Sequence, residues 1–162
     1  WNILQGFQTS GKCIDRAHYR IRYMKSFRPI SAKEDIEFQE ARPILYLNMA
    51  AISSLFNSRN MNATANRSNW STIMSYLKSH SSYLGLKQDR FTILLPTGLP
   101  DFTIEVIGNN QTVKKVKVNR PKALCFDYLQ LKEMFGLDLE TEMVTDDVDF
   151  QEENTATHNN PT

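Results

Sequence analysis

Arg42-Pro43-Ile44-Leu45-Tyr46-Leu47-Asn48-Met49-Ala50-Ala51-Ile52-Ser53-Ser54-Leu55-Phe56 decides how this chain is read. From Ile44 to Met49 the run is largely continuous in apolar residues. Such a run suits a central strand covered on both faces, because a half-buried strand would alternate. A short stretch ending in Ser53-x-x-Phe56 follows it. Upstream, Tyr19-Arg20-Ile21-Arg22-Tyr23-Met24 alternates strictly, apolar side chains to one face and arginines to the other. That is the period of a half-buried strand. Residues 1–10 read as a strand entering a turn, and Pro29 to Pro43 mixes charges without a period and reads as a loop.

Downstream of the central strand, Asn57 to Asn66 is rich in Asn and reads as a linker. Trp70, Ile73, Met74, Leu77 and Leu84 then recur at helical spacing, with Ser68 or Asn69 placed to cap and Gly85 to stop the helix. That stripe is read as core packing. From Arg90 the texture is β. Phe91 to Leu95 forms a strand ended by Pro96. Phe102 to Val106 pairs with Val113 to Val118 through a turn at Gly108-Asn109-Asn110, with a bulge expected at Lys114. Val116 and Val118 are expected inward, Lys115 and Lys117 outward. Arg120-Pro121 ends that strand. Asp127 is placed to cap a helix from Tyr128 to Phe135, which Gly136 closes. Leu137-Asp138-Leu139 reads as a last strand, and 151–162 as a disordered tail.

The composition narrows the function classes. With 162 residues, 41% hydrophobic and 23% charged, the chain suits one globular domain, or one small domain with a flanking element. No apolar run approaches the ~20 residues of a membrane span. Trp1 at the start, with no signal pattern, reads as a piece of a longer protein. A net charge of +1 hides a strong partition. Residues 12–28 carry Lys12, Arg16, Arg20, Arg22, Lys25 and Arg28, and a second basic group is Lys114, Lys115, Lys117, Arg120 and Lys122. Acids crowd from Asp138 to Glu153. Cys13 and Cys125 have no metal-ligand spacing and read as reduced thiols, Cys125 buried. His18, His80 and His158 have no matched acid, Cys or Ser, so neither a metal site nor a catalytic triad is expected. Sequons at Asn62, Asn66, Asn69 and Asn110 exceed the roughly two expected by chance and keep a secreted reading open.

The central strand, with Trp1 and Gly6-Phe7-Gln8-Thr9-Ser10 before it, resembles the segment of Argonaute proteins that leads into their PAZ domain. The later elements follow the family's order: a packing helix, a strand pair, then Tyr128-Leu129-Gln130-Leu131-Lys132-Glu133-Met134-Phe135 followed by Gly136-Leu137-Asp138-Leu139. The likeness covers most of residues 1–140. It implies an α+β chain: a small linker sheet and packing helix, followed by a PAZ-like, OB-related β-barrel with a short helix. The expected division is 1–66 for the linker sheet with an insertion at 11–43, 67–88 for the packing helix, and 89–150 for the PAZ-like unit. Departures mark a divergent, shortened member, one whose Asn-rich loops would suit a budding yeast. Val116 and Gln130 replace family tyrosines, and a β-hairpin is missing between Arg120 and Asp127.

The resemblance implies a non-enzymatic, cytoplasmic or nuclear segment that grips the 3′ end of a small single-stranded guide RNA and braces other lobes of the same chain. No cofactor is implied, and the family's acidic catalytic cluster belongs to a domain with no counterpart here. The implied RNA contacts are Lys114 and Lys115, and the aromatic positions are Phe135 and Phe126. From the residues themselves, Lys117 extends the basic track, Tyr128 joins the aromatic set, and Arg20 and Arg22 could line an RNA channel. Each has a plainer alternative. Lysines also keep an edge strand wet, aromatics at helical spacing are often core, and arginines on an alternating strand often face solvent. Two rival readings follow: a structural or protein-interaction module, and a secreted β-rich glycoprotein domain.

Overall fold

Ile44, Leu45, Tyr46 and Leu47 are all essentially inaccessible to solvent. A strand achieves this only inside a sheet with both faces covered. The computed structural model describes residues 1–62 and 70–139. In chain order its elements are α1 (Asn2–Thr9), β1 (Tyr19–Phe27), β2 (Ile36–Asn48), α2 (Met49–Asn62), α3 (Trp70–Ser79), β3 (Tyr83–Gln88), β4 (Phe91–Thr92), β5 (Phe102–Ile107), β6 (Gln111–Val116), β7 (Val118–Asn119), β8 (Lys122–Asp127) and α4 (Tyr128–Phe135). The architecture is α+β. Its principal sheet is antiparallel in the order β1-β2-β8-β3, and two smaller two-stranded sheets pair β4 with β7 and β5 with β6.

β2 and β8 form the middle of the principal sheet, and their residues sort by parity. Leu45, Leu47, Leu124 and Phe126 face the helices and pack with Leu4, Ile52, Leu77 and Leu131. Ile44, Tyr46, Ala123 and Cys125 face the other way, against Phe27 and Phe91. The segments expected as separate units, 1–66 and 89–150, therefore share one sheet, with β8 between β2 and β3.

Several elements differ from the sequence expectation. Residues 2–9 are helical rather than a strand. Trp1, Leu4 and Phe7, three apart, lie on one helix face against the core. The loop expected up to Pro43 is strand from Ile36. Ile36 and Phe38 pack against the second core while Glu37 and Gln39 stay wet, an alternation masked by the surrounding charges. The linker expected from Asn57 is helical to Asn62, since Ile52, Leu55 and Phe56 supply the i, i+3, i+4 stripe that anchors α2. Residues 63–66 and the expected caps Ser68 and Asn69 lie outside the described residues, as does the expected tail.

The packing helix ends at Ser79, and Leu84 belongs to β3. Leu77, buried, and Trp70, Ile73 and Met74 beside it do pack on the core as read. Gly85 does not stop a helix. It sits at a register shift between β3 and β8 with φ +132°, and a Cβ there would lie 2.7 Å from the Pro29 Cβ. The expected strand 91–95 is two residues long. Leu137 and Leu139 are buried, yet they join no ladder among the described residues; the Tyr128 hydroxyl accepts the Leu139 N–H at 2.8 Å instead. The expected barrel is also not there: the described strands form three separate sheets without closure. Between Arg120 and Asp127, where the resemblance has a hairpin missing, the chain forms the single strand β8, whose Ala-Leu-Cys-Phe run fills the sheet centre. Gly136 closes α4 in the left-handed conformation as expected.

The two glycines in contrasting settings give a paired stability test. Gly6 lies inside α1, and a Cβ added there would meet nothing within 4 Å. Gly6→Ala should stabilise by about 0.5–1 kcal/mol, whereas Gly85→Ala should destabilise by more than about 1 kcal/mol. Urea unfolding midpoints of the two variants check both signs.

Candidate nucleic-acid interface

Alternation of Phe102, Ile104 and Val106 with Thr103 and Glu105 makes β5 a strand. The turn that returns it to β6 has three successive positive φ angles: Gly108 at 34°, Asn109 at 49° and Asn110 at 62°. Gly and Asn tolerate that conformation best. The register then runs without interruption from Phe102↔Val116 to Ile107↔Gln111. The bulge expected at Lys114 is absent. The irregularity falls at Lys117, between β6 and β7, where the backbone N–H donates to Asp101 and the carbonyl accepts from Ile93.

An unbroken register fixes the faces. Phe102, Ile104, Val106, Thr112, Lys114 and Val116 share one side of the hairpin; Thr103, Glu105, Ile107, Val113 and Lys115 share the other. All six β5 residues are exposed, with Ile104 at 65% and Val106 at 75%. β5 and β6 contact chiefly each other. The Lys114 ammonium lies 3.6 Å from the Phe102 ring centroid. Lys115 pairs with Glu105 at 3.2 Å and Lys117 with Asp101 at 3.5 Å. The side chains of the Lys115 pair are solvent-exposed, and the pair contributes little to stability, about 0–1 kcal/mol, while in the Lys117 pair Asp101 is half-buried. Lys117 is exposed, as read from the sequence, but Lys115, Val116 and Val118 are all half-buried. The register puts Lys115 on the side of buried Val113 and Val116 on the side of exposed Ile104 and Val106, so the expected split of valines inward and Lys115 outward does not hold.

The aromatic candidates are not at the hairpin. Phe126 is fully buried, its ring edge-on to Trp1 at 4.9 Å and beside Tyr83 at 5.5 Å. Tyr128 is buried with its hydroxyl occupied by Leu139. Neither presents a ring face to a base. Phe135 is 37% exposed and lies near His80, at 5.4 Å between centroids. The arginines also have internal partners. Arg20 is buried and donates to the Arg90 carbonyl at 2.7 Å. Arg22 makes a two-pronged pair with Asp89, at 2.7 and 3.1 Å, in a largely buried setting. Removing one partner of such a pair strands a charge, at a cost of about 3–5 kcal/mol.

A groove of about 880 Å³ runs beside the start of α2, lined by Ile14, His18, Asn48, Leu55, Leu94 and Leu99 among others. Sequence patterns give no sign of it, because its walls come from segments distant in the chain. Two of its polar side chains are engaged within the fold. His18 Nδ1 accepts the Ile14 N–H at 3.0 Å, and Asn48 donates to Ala17 and accepts from Ala51. Among the described residues no group of three or more His, Cys, Asp or Glu could hold a metal ion. Cys13 and Cys125 are free and buried; burial, with Asp15 adding to it, pushes the Cys13 thiol up to about 12, and burial raises Cys125 as well. No helix among the described residues is long and apolar enough to cross a membrane. Comparison with protein-family models, curated proteins and solved structures returns no match.

Burial lowers the His18 pKa from its ordinary value of 6.5. The unfolded chain therefore binds this proton more readily, and stability falls as pH drops through 6.5 toward the folded value. The contribution is complete above that window. His18→Gln should flatten this part of the pH dependence of the urea midpoint between pH 7.5 and 5; an unchanged slope would mean that another group carries it.

Proposed function

We propose that this chain is an RNA-contacting segment of an Argonaute-like silencing protein, holding a small single-stranded guide without catalysing a reaction. The observation that carries the reading is Lys114 seated over the exposed Phe102 ring of the β5–β6 hairpin, with Lys115 on the hairpin's other face and Lys117 just after β6. Single strands are held by ring faces for the bases and cations for the phosphates. Phe102 supplies the first, and the three lysines supply the second. The pairs that hold Lys115 and Lys117 are weak enough to open toward a phosphate.

The order of elements along the chain supports the family reading: a central strand following a Trp and Gly-Phe segment, then a packing helix, a hairpin and α4. Guide-end capture in this reading does not use Phe126 or Tyr128, which are core. Phe135, with His80 beside it, is a second aromatic edge open to solvent. Bracing of other lobes, and placement in the cytoplasm, belong to the same proposal.

A protein-interaction module is the second reading, favoured by one observation: Ile104 and Val106 are more exposed than Phe102 and offer no chemistry specific to RNA. Fluorescence anisotropy with a short single-stranded RNA over a salt series separates the two. Phe102→Ala should weaken binding by about 1–3 kcal/mol. Lys114→Ala should also weaken it and reduce the salt slope by about 0.7. Binding lost in Phe135→Ala but kept in Lys114→Ala would move the site to α4. No RNA binding at low salt would leave the interaction module.

A further inference from the structure

We propose that the groove beside the start of α2 binds a small aliphatic carboxylic acid. Its carboxylate meets Lys12, His18 and the first turn of α2, and its alkyl chain lies along the wall formed by residues 93–99. The groove holds about 880 Å³, within the range of sites that take one small organic molecule, about 300–1,000 Å³. Leu55, Ile93, Leu94, Leu95 and Leu99 supply apolar wall. Among the described residues no aromatic side chain lines it. A nucleotide base would find no ring to stack on, whereas an alkyl chain needs only apolar surface.

The polar end is held in place by the fold. The His18 carbonyl accepts the Asn48 N–H at 2.9 Å, and the Asn48 side chain donates to Ala17. His18 is thereby tied to the residue that opens α2. Its ring Nδ1 accepts the Ile14 N–H at 3.0 Å, so the neutral imidazole carries its proton on Nε2. Burial lowers the His18 pKa, which keeps the ring a neutral donor at pH 7. The Nε2–H has no partner among the described residues, although His18 is only 7% exposed. Nor is that atom shut away from solvent: it opens on the groove that His18 lines. α2 adds to this end. Its first amides meet no helical carbonyl, and the helix dipole places partial positive charge there. Ala50 and Ala51 line the groove, and no acidic side chain occupies the first turn.

Charge decides the sign of the ligand. Among the described residues Lys12 is the one Lys, Arg, Asp or Glu that lines the groove, and its ammonium has no ion pair there. One ammonium, one neutral N–H and a helix N-terminus match a carboxylate. A phosphate monoester carries more charge than these groups offset. The groove shares no residue with the β5–β6 hairpin, so this site stands apart from the RNA reading.

NMR titration of the isotope-labelled full chain with sodium octanoate, and with octanol as the neutral analogue, tests the assignment. Octanoate should bind saturably and move the amides of Ala50, Ala51 and residues 92–99. It should bind about tenfold more tightly than octanol, the gain of a charge-assisted hydrogen bond. His18→Asn keeps an acceptor for the Ile14 N–H but removes the Nε2 donor. It should weaken octanoate about tenfold and leave octanol unchanged. Lys12→Glu, at an exposed position, should do the same, and it decides alone if His18→Asn does not fold. Equal affinity for octanoate and octanol overturns the proposal, as do shifts centred on Phe102–Ile107. Octanoate binding untouched by Lys12→Glu also overturns it, as does acetate binding as tightly as octanoate. Acetyl-trileucine binding more tightly than octanoate would make the occupant a peptide C-terminus and overturn it too.

Discussion

The pairing of β2 with β8 is the constraint on which the structure depends. Leu45 faces Phe126, Tyr46 faces Cys125 and Leu47 faces Leu124 in an unbroken antiparallel register. Each of these six side chains is almost wholly withdrawn from water. A one-residue slip would exchange the two cores, bringing Tyr46 and Cys125 to the helices and Leu45 and Phe126 to Phe27 and Phe91. Close packing on both faces resists that exchange. The partners are also far apart in sequence, so the sheet centre closes only once most of the chain has been made. Helices α1, α2, α3 and α4 then have one face to cover, and they do so with Leu4, Ile52, Leu77 and Leu131.

That same constraint sorts the chemistry. Side chains captured by the central sheet are lost to ligands: Phe126, Tyr128, both cysteines and Arg20 are structural. Arg22 and Asp89 tie β1 to the segment after β3, close to a strand centre that would otherwise hold a lone charge. What remains for function lies outside the sheet. Among the described residues, the β5–β6 hairpin joins the rest of the chain through β4, β7 and the backbone bonds around Asp101 and Lys117. It can therefore carry exposed apolar and basic groups without disturbing the core.

Legibility in the sequence follows burial. The continuous run at Ile44 announces a two-sided strand, the alternation at Tyr19 a strand, and Gly108-Asn109-Asn110 a turn, because each pattern has one physical solution. The helix at Asn2–Thr9 escapes sequence reading because its stripe is only three residues long. α2 is not read as a helix, because its Asn-rich end has low propensity, while Ile52, Leu55 and Phe56 hold it by packing. Gly85 shows the limit most clearly. A glycine after a helical stripe signals a stop, yet here it answers to Pro29, a neighbour no local pattern contains. At the candidate site, the lysines and the alternation around Phe102 are visible in the sequence. Which face of the hairpin stays wet is not, since that depends on what the rest of the chain leaves uncovered.

The most direct measurement of the central claim is an NMR titration of the isotope-labelled chain with a short single-stranded RNA. The account predicts amide shifts concentrated at Phe102–Val106 and Thr112–Val116, with β2 and β8 silent. Shifts centred on Phe135 and His80, or none at all, would contradict it.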